Sequence, residues 1–285
     1  MTPFAPATSH RIDDVGDGLL RKDLRRDALI GAAVVAKPAF VHDPAREPAV
    51  YRALLTPLGI GARCHASGPD WVEVERVPGV ELWQVGDVAT WVAVAAWTAG
   101  LHARLTAAAA LAGAAGPAGP GNDGGVPLLA HDAALAARWR ARAAGAGVPA
   151  VVLDAHRRAA ERLSRSAPVV IHGDLYAANV LVRAQAGRVE VYPVDWELAG
   201  RGPAVLDVAA LTAGRWPAAA RQAMARAYFD AAGRPGGSWE EWSADLDAAR
   251  LLVCVQWLGW APGWTPPAEH RHDWLGEALQ LAARS

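Results

Sequence analysis

Lysine is nearly missing from this chain. Of 28 basic residues, only Lys22 and Lys37 are lysines, and the rest are arginines. The heavy Ala, Gly and Arg usage fits a GC-rich coding sequence in which lysine codons are rare, so a lysine kept inside an apolar strand asks for a reason. Cysteine is just as scarce. Cys64 and Cys254 lie far apart in apolar surroundings, with no CxxC spacing, which excludes a disulfide framework and a thiolate zinc site. Both read as buried thiols in a reducing compartment. A surplus of one charge is also absent. The 28 basic residues face 29 acidic ones, a net charge of −1, which gives nucleic acid or an anionic membrane no attraction. The one basic cluster, RKDLRR at Arg21 to Arg26, is short, interrupted by an acid, and reads as a solvated strand or turn. The apolar run Val88 to Leu101 is 14 residues, too short to cross a bilayer. No basic segment followed by an apolar one opens the chain, so no signal peptide is expected and a cytoplasmic location is.

What is present is an ordinary globular balance, 52% apolar and 20% charged over 285 residues, enough for one large domain or two modest ones. The pattern changes partway along. To about Pro78, short strand-like runs alternate with turns. ALIGAAVVAKPAF (Ala28 to Phe40) reads as strand ending at a proline, and HDPAREPAVYRALLTPLGI as a helix with Asp43 as cap and Gly59 beyond its end. DWVEVERVPG alternates apolar and charged residues as a strand with one buried face does. From Val88 the spacing of Trp91, Ala95, Thr98 and His102 is helical. A Gly- and Pro-rich stretch from Leu111 to Pro127 reads as a flexible surface loop, and helices are expected over 132–143, 150–164 and repeatedly after Val205. A small β-rich part followed by a larger helical part implies a cleft between them.

The chemistry concentrates in IHGDLYAANVLV (Ile171 to Val182) and in Asp195-Trp196-Glu197. Asp174 and Asn179, five residues apart in a tight loop, can face one volume. Val180 to Val182 and Arg188 to Tyr192 form a hairpin that returns Asp195 and Glu197 to that volume. Two residues apart, they share a side if the strand stays extended past Pro193. Hard divalent cations take oxygen ligands and bridge to phosphate, which suits an Asp/Asn pair with a further carboxylate as base.

HGDLYAANVL together with VDWELAGRGPAVLDVAAL closely resembles the aminoglycoside phosphotransferase and choline kinase branch of the protein-kinase-like fold. Gly173 stands in place of the arginine of HRD, DWE in place of DFG, and no APE segment follows, which sets the chain apart from protein kinases. The resemblance implies an α+β, bilobal fold, with a β-rich N-lobe over 1–78 and a mainly helical C-lobe over 79–285. It implies Asp174 as catalytic base, Asn179 and Asp195 as Mg²⁺ ligands, His172 as a brace for the loop, and Asp207 as the buried aspartate that ties the loop down. Glu197 would assist the metal or bind solvent. Lys37 would be the strand lysine on the α- and β-phosphates and Glu47 its helix partner, although Pro48 implies a late start or a kink in that helix. Glu75 to Val77 would offer backbone groups to adenine, and His102 would be packing. No GxGxxG occurs between Gly16 and Gly31, leaving VGDGLL and the turn at Arg25 to Asp27 as candidates for the phosphate-covering loop.

The implied cofactors are ATP, or another nucleoside triphosphate, and Mg²⁺. The implied acceptor is a small-molecule hydroxyl, with no nucleic acid or membrane partner. Trp239, Trp242, Trp257, Trp260, Trp264 and Trp274 could line the acceptor pocket or simply pack helices. Nearby acids (Glu240, Glu241, Asp245, Asp247, Glu269, Asp273) would suit a polycation or an exposed helix face. The leading expectation is an aminoglycoside-like or other antibiotic as acceptor. The alternatives are an amino alcohol or sugar kinase, a catalytically idle nucleotide-binding regulator of the same fold, and a metallohydrolase built on His172, Asp174 and Asp195.

Overall fold

A computed structural model describes residues 11–24, 28–30, 33–35, 38–111, 113, 125–185, 188–260 and 272–284. Lys37, the turn at Arg25 to Asp27, most of the Gly/Pro-rich stretch, Trp264 and Glu269 lie outside the described residues. The described residues begin with the hairpin β1 (Arg11–Gly16) and β2 (Leu19–Asp23). Asp17 and Gly18 join the strands with φ of 51° and 75°, the positive pair that a two-residue hairpin turn demands. VGDGLL is thus a tight strand connection. A small hairpin, β3 (Ala28–Ile30) with β4 (Ala33–Val35), follows where one longer strand was expected.

The helix after it starts late. Arg46–Val50 (α1) runs into a π-helical turn, Tyr51–Leu55, and then α2 (Thr56–Leu58), where Gly59 at φ 59° ends it. Pro48 falls in the first turn, where its missing N–H would have had no helical partner. β5 (Cys64–Ser67) and β6 (Trp71–Glu75) complete an antiparallel sheet of order β1-β2-β6-β5. Lys22 pairs with Val72 across β2 and β6. Sharing a strand face with Leu20 and Leu24, it points inward by the period of two.

The larger part is helical. α3 (Val88–Leu111), α4 (Ala133–Gly145), α5 (Ala150–Leu163), α6 (Val205–Leu211), α7 (Ala218–Ala231), α8 (Trp239–Trp260) and α9 (Trp274–Ala282) surround two small sheets. One sheet pairs β7 (Val80–Glu81), β10 (Val180–Gln185) and β11 (Arg188–Pro193) in the order β11-β10-β7. The other sets β12 (Gly200–Gly202) between β8 (Leu129–Ala130) and β9 (Val169–Ile171). The whole is an α+β, bilobal protein-kinase-like fold. Val50, Tyr51, Leu54 and Leu55 pack with Leu101, Leu105, Val170 and Trp196, so one apolar cluster joins the small sheet region to the helical part. Trp196 is fully buried there, and removing about 200 Å² of ring from water contributes roughly 5 kcal/mol of transfer energy. Among the described residues no helix is long and apolar enough to cross a membrane.

Candidate active site

β9 delivers the chain to His172, and Gly173 turns it at φ 80°. A Cβ on Gly173 would overlap the Leu198 carbonyl oxygen and stand 2.7 Å from His131 Nε2, so a side chain has no room there. The same histidine fills the space beside Gly200 and Gly202, and its Nε2–H donates to the Leu198 carbonyl at 2.8 Å. Asp207, on α6, fixes the turn from below. Its carboxylate accepts the N–H groups of His172 at 2.8 Å and Gly173 at 2.9 Å. It also accepts His102 Nε2–H at 2.9 Å, while His102 Nδ1 faces the Tyr228 hydroxyl at 2.9 Å. Burial alone would push the Asp207 carboxyl up, but these donors hold it below its ordinary range. His102 therefore braces the aspartate that braces the loop, beyond the packing role expected of it.

His172 connects this loop to the next. Burial keeps its imidazole neutral. Nε2–H donates to the Val194 carbonyl at 2.9 Å, leaving Nδ1 to accept the Asp174 N–H at 3.3 Å. A 3-10 turn, Ala177–Asn179, then brings Asn179 back over Asp174. Its Nδ2 donates to the Asp174 carbonyl at 2.8 Å and to Oδ2 at 3.0 Å, and Val194 N–H donates to the Asn179 carbonyl at 2.9 Å. The Asn179 Oδ1 is buried and has no hydrogen-bond partner among the described residues. Such an orphaned acceptor is costly unless something electropositive meets it.

Across the cleft, Lys22 Nζ donates to Glu47 Oε2 at 2.5 Å and to Asp195 Oδ1 at 2.7 Å. Glu47 Oε1 accepts the Trp196 N–H at 3.2 Å. Burial pulls the ammonium's pKa down, but Asp195 and Glu47 outweigh it and raise it above the ordinary lysine value. Among the described residues the cation on Glu47 is Lys22, while Lys37, expected as its partner, lies outside them. The reading of RKDLRR as solvated fails at Lys22 and Leu24. The signal was available in the alternation Leu20, Lys22, Leu24.

Strand periodicity does not carry Asp195 and Glu197. β11 ends at Pro193, Asp195 takes φ 67°, and Trp196–Leu198 is a 3-10 turn. Glu197 still adds negative field at Lys22 and Arg46. Glu75 and Val77 lie where β6 leads toward β7. The Glu75 N–H donates to the Arg63 carbonyl at 2.9 Å, and the Val77 carbonyl accepts Gly79 N–H at 2.9 Å. Arg46 and His131, which hold the 3-10 turn, carried no motif and went unnoticed in the sequence.

A hard cation suits the donors present. The buried, unsatisfied oxygen of Asn179 and the Asp195 carboxylate are oxygen donors of the kind a hard cation takes, and Mg²⁺ needs only one or two from protein when phosphates and water complete its shell. Beside the Asp174 loop, Trp257 donates to the Tyr176 hydroxyl and stacks on Trp274 at 5.5 Å and 7°. Tyr176 is two residues from Asp174, so this aromatic wall begins at the loop.

The model of the phosphotransferase enzyme family matches residues 45–250. A search of curated protein sequences finds none similar. Among solved structures, a choline/ethanolamine kinase family protein from Mesorhizobium loti is similar over 100% of this chain and 86% of its own, at 15% identity and a TM-score of 0.60. A choline kinase from Streptococcus pneumoniae is similar over 97% and 90%, at 13% identity and a TM-score of 0.60. An amicoumacin kinase bound to AMP-PNP and Ca²⁺ is similar over 100% and 88%, at 12% identity and a TM-score of 0.56. At these identities the likeness is one of fold.

Proposed function

The chain belongs to the phosphotransferase enzyme family and is a small-molecule phosphotransferase; from that premise we propose that it moves the γ-phosphoryl group of Mg·ATP to a hydroxyl of a hydroxylated antibiotic or small metabolite. The observation that carries this reading is the buried Lys22 held at once by Glu47 and Asp195, with Asp174 oriented by Asn179 on the facing loop. Lys22 binds the α- and β-phosphates, and Glu47 keeps its ammonium in place. Adenine would meet the Glu75 to Val77 segment at backbone groups other than the Glu75 and Arg76 N–H and the Val77 carbonyl, which already bond within the chain. Asp174 accepts a hydrogen bond from the acceptor hydroxyl and aims its oxygen at phosphorus. The new O–P bond forms as the bond to the β-phosphate breaks, the hydroxyl proton passes to the Asp174 carboxylate, and ADP leaves. Asn179 and Asp195 are the residues that would hold Mg²⁺, which when bound neutralises charge developing on the phosphates. His172 and Asp207 set the loop and touch no reacting atom, while Glu197 supplies field at Lys22.

For the acceptor, charge narrows the choice. Asp245 is paired with Arg162, Asp247 with Arg250, and Glu277 sits among Arg250, Arg221 and His272. Burial would raise the Glu277 carboxyl, but these partners hold it at about 2. With these three carboxylates already matched, a weakly charged antibiotic, a sugar or an amino alcohol is favoured over a polycationic aminoglycoside. An ATP-consumption screen across antibiotics, sugars and amino alcohols tests the reading. We expect turnover with at least one acceptor and its loss in Asp174→Ala. Mg·ATP binding without turnover of any acceptor would favour the idle regulator, and undiminished turnover in Asp174→Ala would overturn the mechanism.

A further inference from the structure

Arg46 stands immediately before Glu47, is buried at 6% exposure, and makes bonds that the chemistry above does not use. Its Nε–H donates to the Pro127 carbonyl at 2.9 Å. Its Nη1 donates to the Val41 carbonyl at 2.8 Å and to the Glu197 carbonyl at 2.6 Å. Three main-chain oxygens from three separate segments thus meet one guanidinium, and Asp43 lies 3.9 Å from the remaining nitrogen. Only a planar fork with several fixed donors can satisfy such a set, and a lysine in the same place could not.

The Glu197 carbonyl is the informative partner. It belongs to the Trp196–Leu198 turn that Asp195 immediately precedes, and Trp196 N–H donates to Glu47. Two consecutive residues at the start of α1 therefore grip two consecutive residues of the metal-side turn, one by its N–H and the other by its carbonyl. A turn pinned at 196 and 197 has little freedom to move residue 195. Asp195 itself holds φ 67°, an uncommon backbone state for a residue with a side chain, which persists where its neighbours are fixed.

We propose that Arg46 is a positioning residue that fixes the Asp195 carboxylate at the distance from Asn179 and Lys22 that binding of Mg·ATP requires. This rests on the assignment of Asp195 to the metal given above. Arg46 reaches no substrate atom and acts through the Asp195–Leu198 turn.

The test compares the parent, Arg46→Lys, Arg46→Gln and Asp195→Asn by ATP binding and thermal melting, each over a Mg²⁺ titration, together with turnover. Both Arg46 variants are expected to bind metal-free ATP as the parent does. They should need at least fivefold more Mg²⁺ to reach half of the ATP-dependent rise in melting temperature. kcat should fall at least tenfold, with the acceptor KM within twofold of the parent's, and Arg46→Lys should not rescue. A parent-like Mg²⁺ requirement in either variant would overturn the proposal, as would failure of both to fold, which would make Arg46 a residue of the fold alone. Asp195→Asn separates the two layers. If it keeps the parent's Mg²⁺ response, the metal assignment fails; if it loses the response while the Arg46 variants keep it, only the role of Arg46 fails.

Discussion

Lys22 is an ammonium at 7% exposure, and such a charge persists in an apolar setting only when carboxylates meet it at hydrogen-bond distance. Removing it would strand Glu47, itself 2% exposed, as an unpaired buried carboxylate, a change that costs about 3–5 kcal/mol in comparable sites. Lys22→Met is therefore expected to lower the melting temperature and to cut kcat by about 10²–10³ through loss of phosphate stabilisation. Lys37→Met should leave both within a small factor of the parent. Steady-state kinetics and melting of the two variants check this, and the reverse ranking would return the role to Lys37. The sequence carried both lysines plainly but ranked them by neighbourhood, a valine-rich run around Lys37 and a charged cluster around Lys22. A strand's inward face is decided by every second residue, and the polar neighbours Arg21 and Asp23 belong to the other face.

Gly173 shows how elements, and not single side chains, shape the site. At φ 80° and with the Leu198 oxygen occupying the space a methyl group would need, alanine there meets both backbone strain and a main-chain clash. Gly173→Ala is expected to lose at least 100-fold in kcat while the protein stays folded. Adding His131→Ala should not restore turnover, because the nearer obstacle is backbone; kinetics of the single and double variants decide, and recovery in the double variant would assign the constraint to His131 instead.

At this scale much of the site was legible. Loop length placed Asn179 on Asp174, the hairpin returned Asp195, and the late helix start followed from Pro48 needing a first-turn position. What periodicity could not supply was the geometry after Pro193. A ring that cannot donate ends the ladder, and the chain leaves extended backbone for a positive φ and a 3-10 turn. Arg46 and His131 were illegible because their partners are carbonyls, which leave no trace in side-chain pattern.

Across the whole molecule, stability and chemistry are separable by pH. His156 on α5 is buried at 1% exposure with neither ring nitrogen hydrogen-bonded among the described residues, and burial, with Arg140 adding, holds its pKa at about 4 against an ordinary 6.5. The folded state thus resists a proton that the unfolded chain accepts. Stability is unaffected by this group above 6.5 and falls as pH drops from 6.5 toward 4, by roughly 3 kcal/mol in all. His156→Leu should remove that slope, so melting curves of parent and variant should diverge as pH is lowered from neutrality to 5, with the variant the more stable. Curves that stay parallel would place a partner on the ring.

The division into a small sheet region and a larger helical part was legible in the change of pattern near Pro78. The acceptor was not, since it depends on which tryptophans and carboxylates remain available after helices pack. Whatever that acceptor proves to be, the central claim is that phosphoryl transfer is directed by Asp174. The most direct test is ³¹P NMR of the parent and Asp174→Asn with Mg·ATP and an acceptor from the screen. The γ-phosphoryl signal should move to a phosphomonoester of the acceptor in the parent and slow by about 10²–10⁴ in the variant. Equal rates in the two proteins would contradict the account.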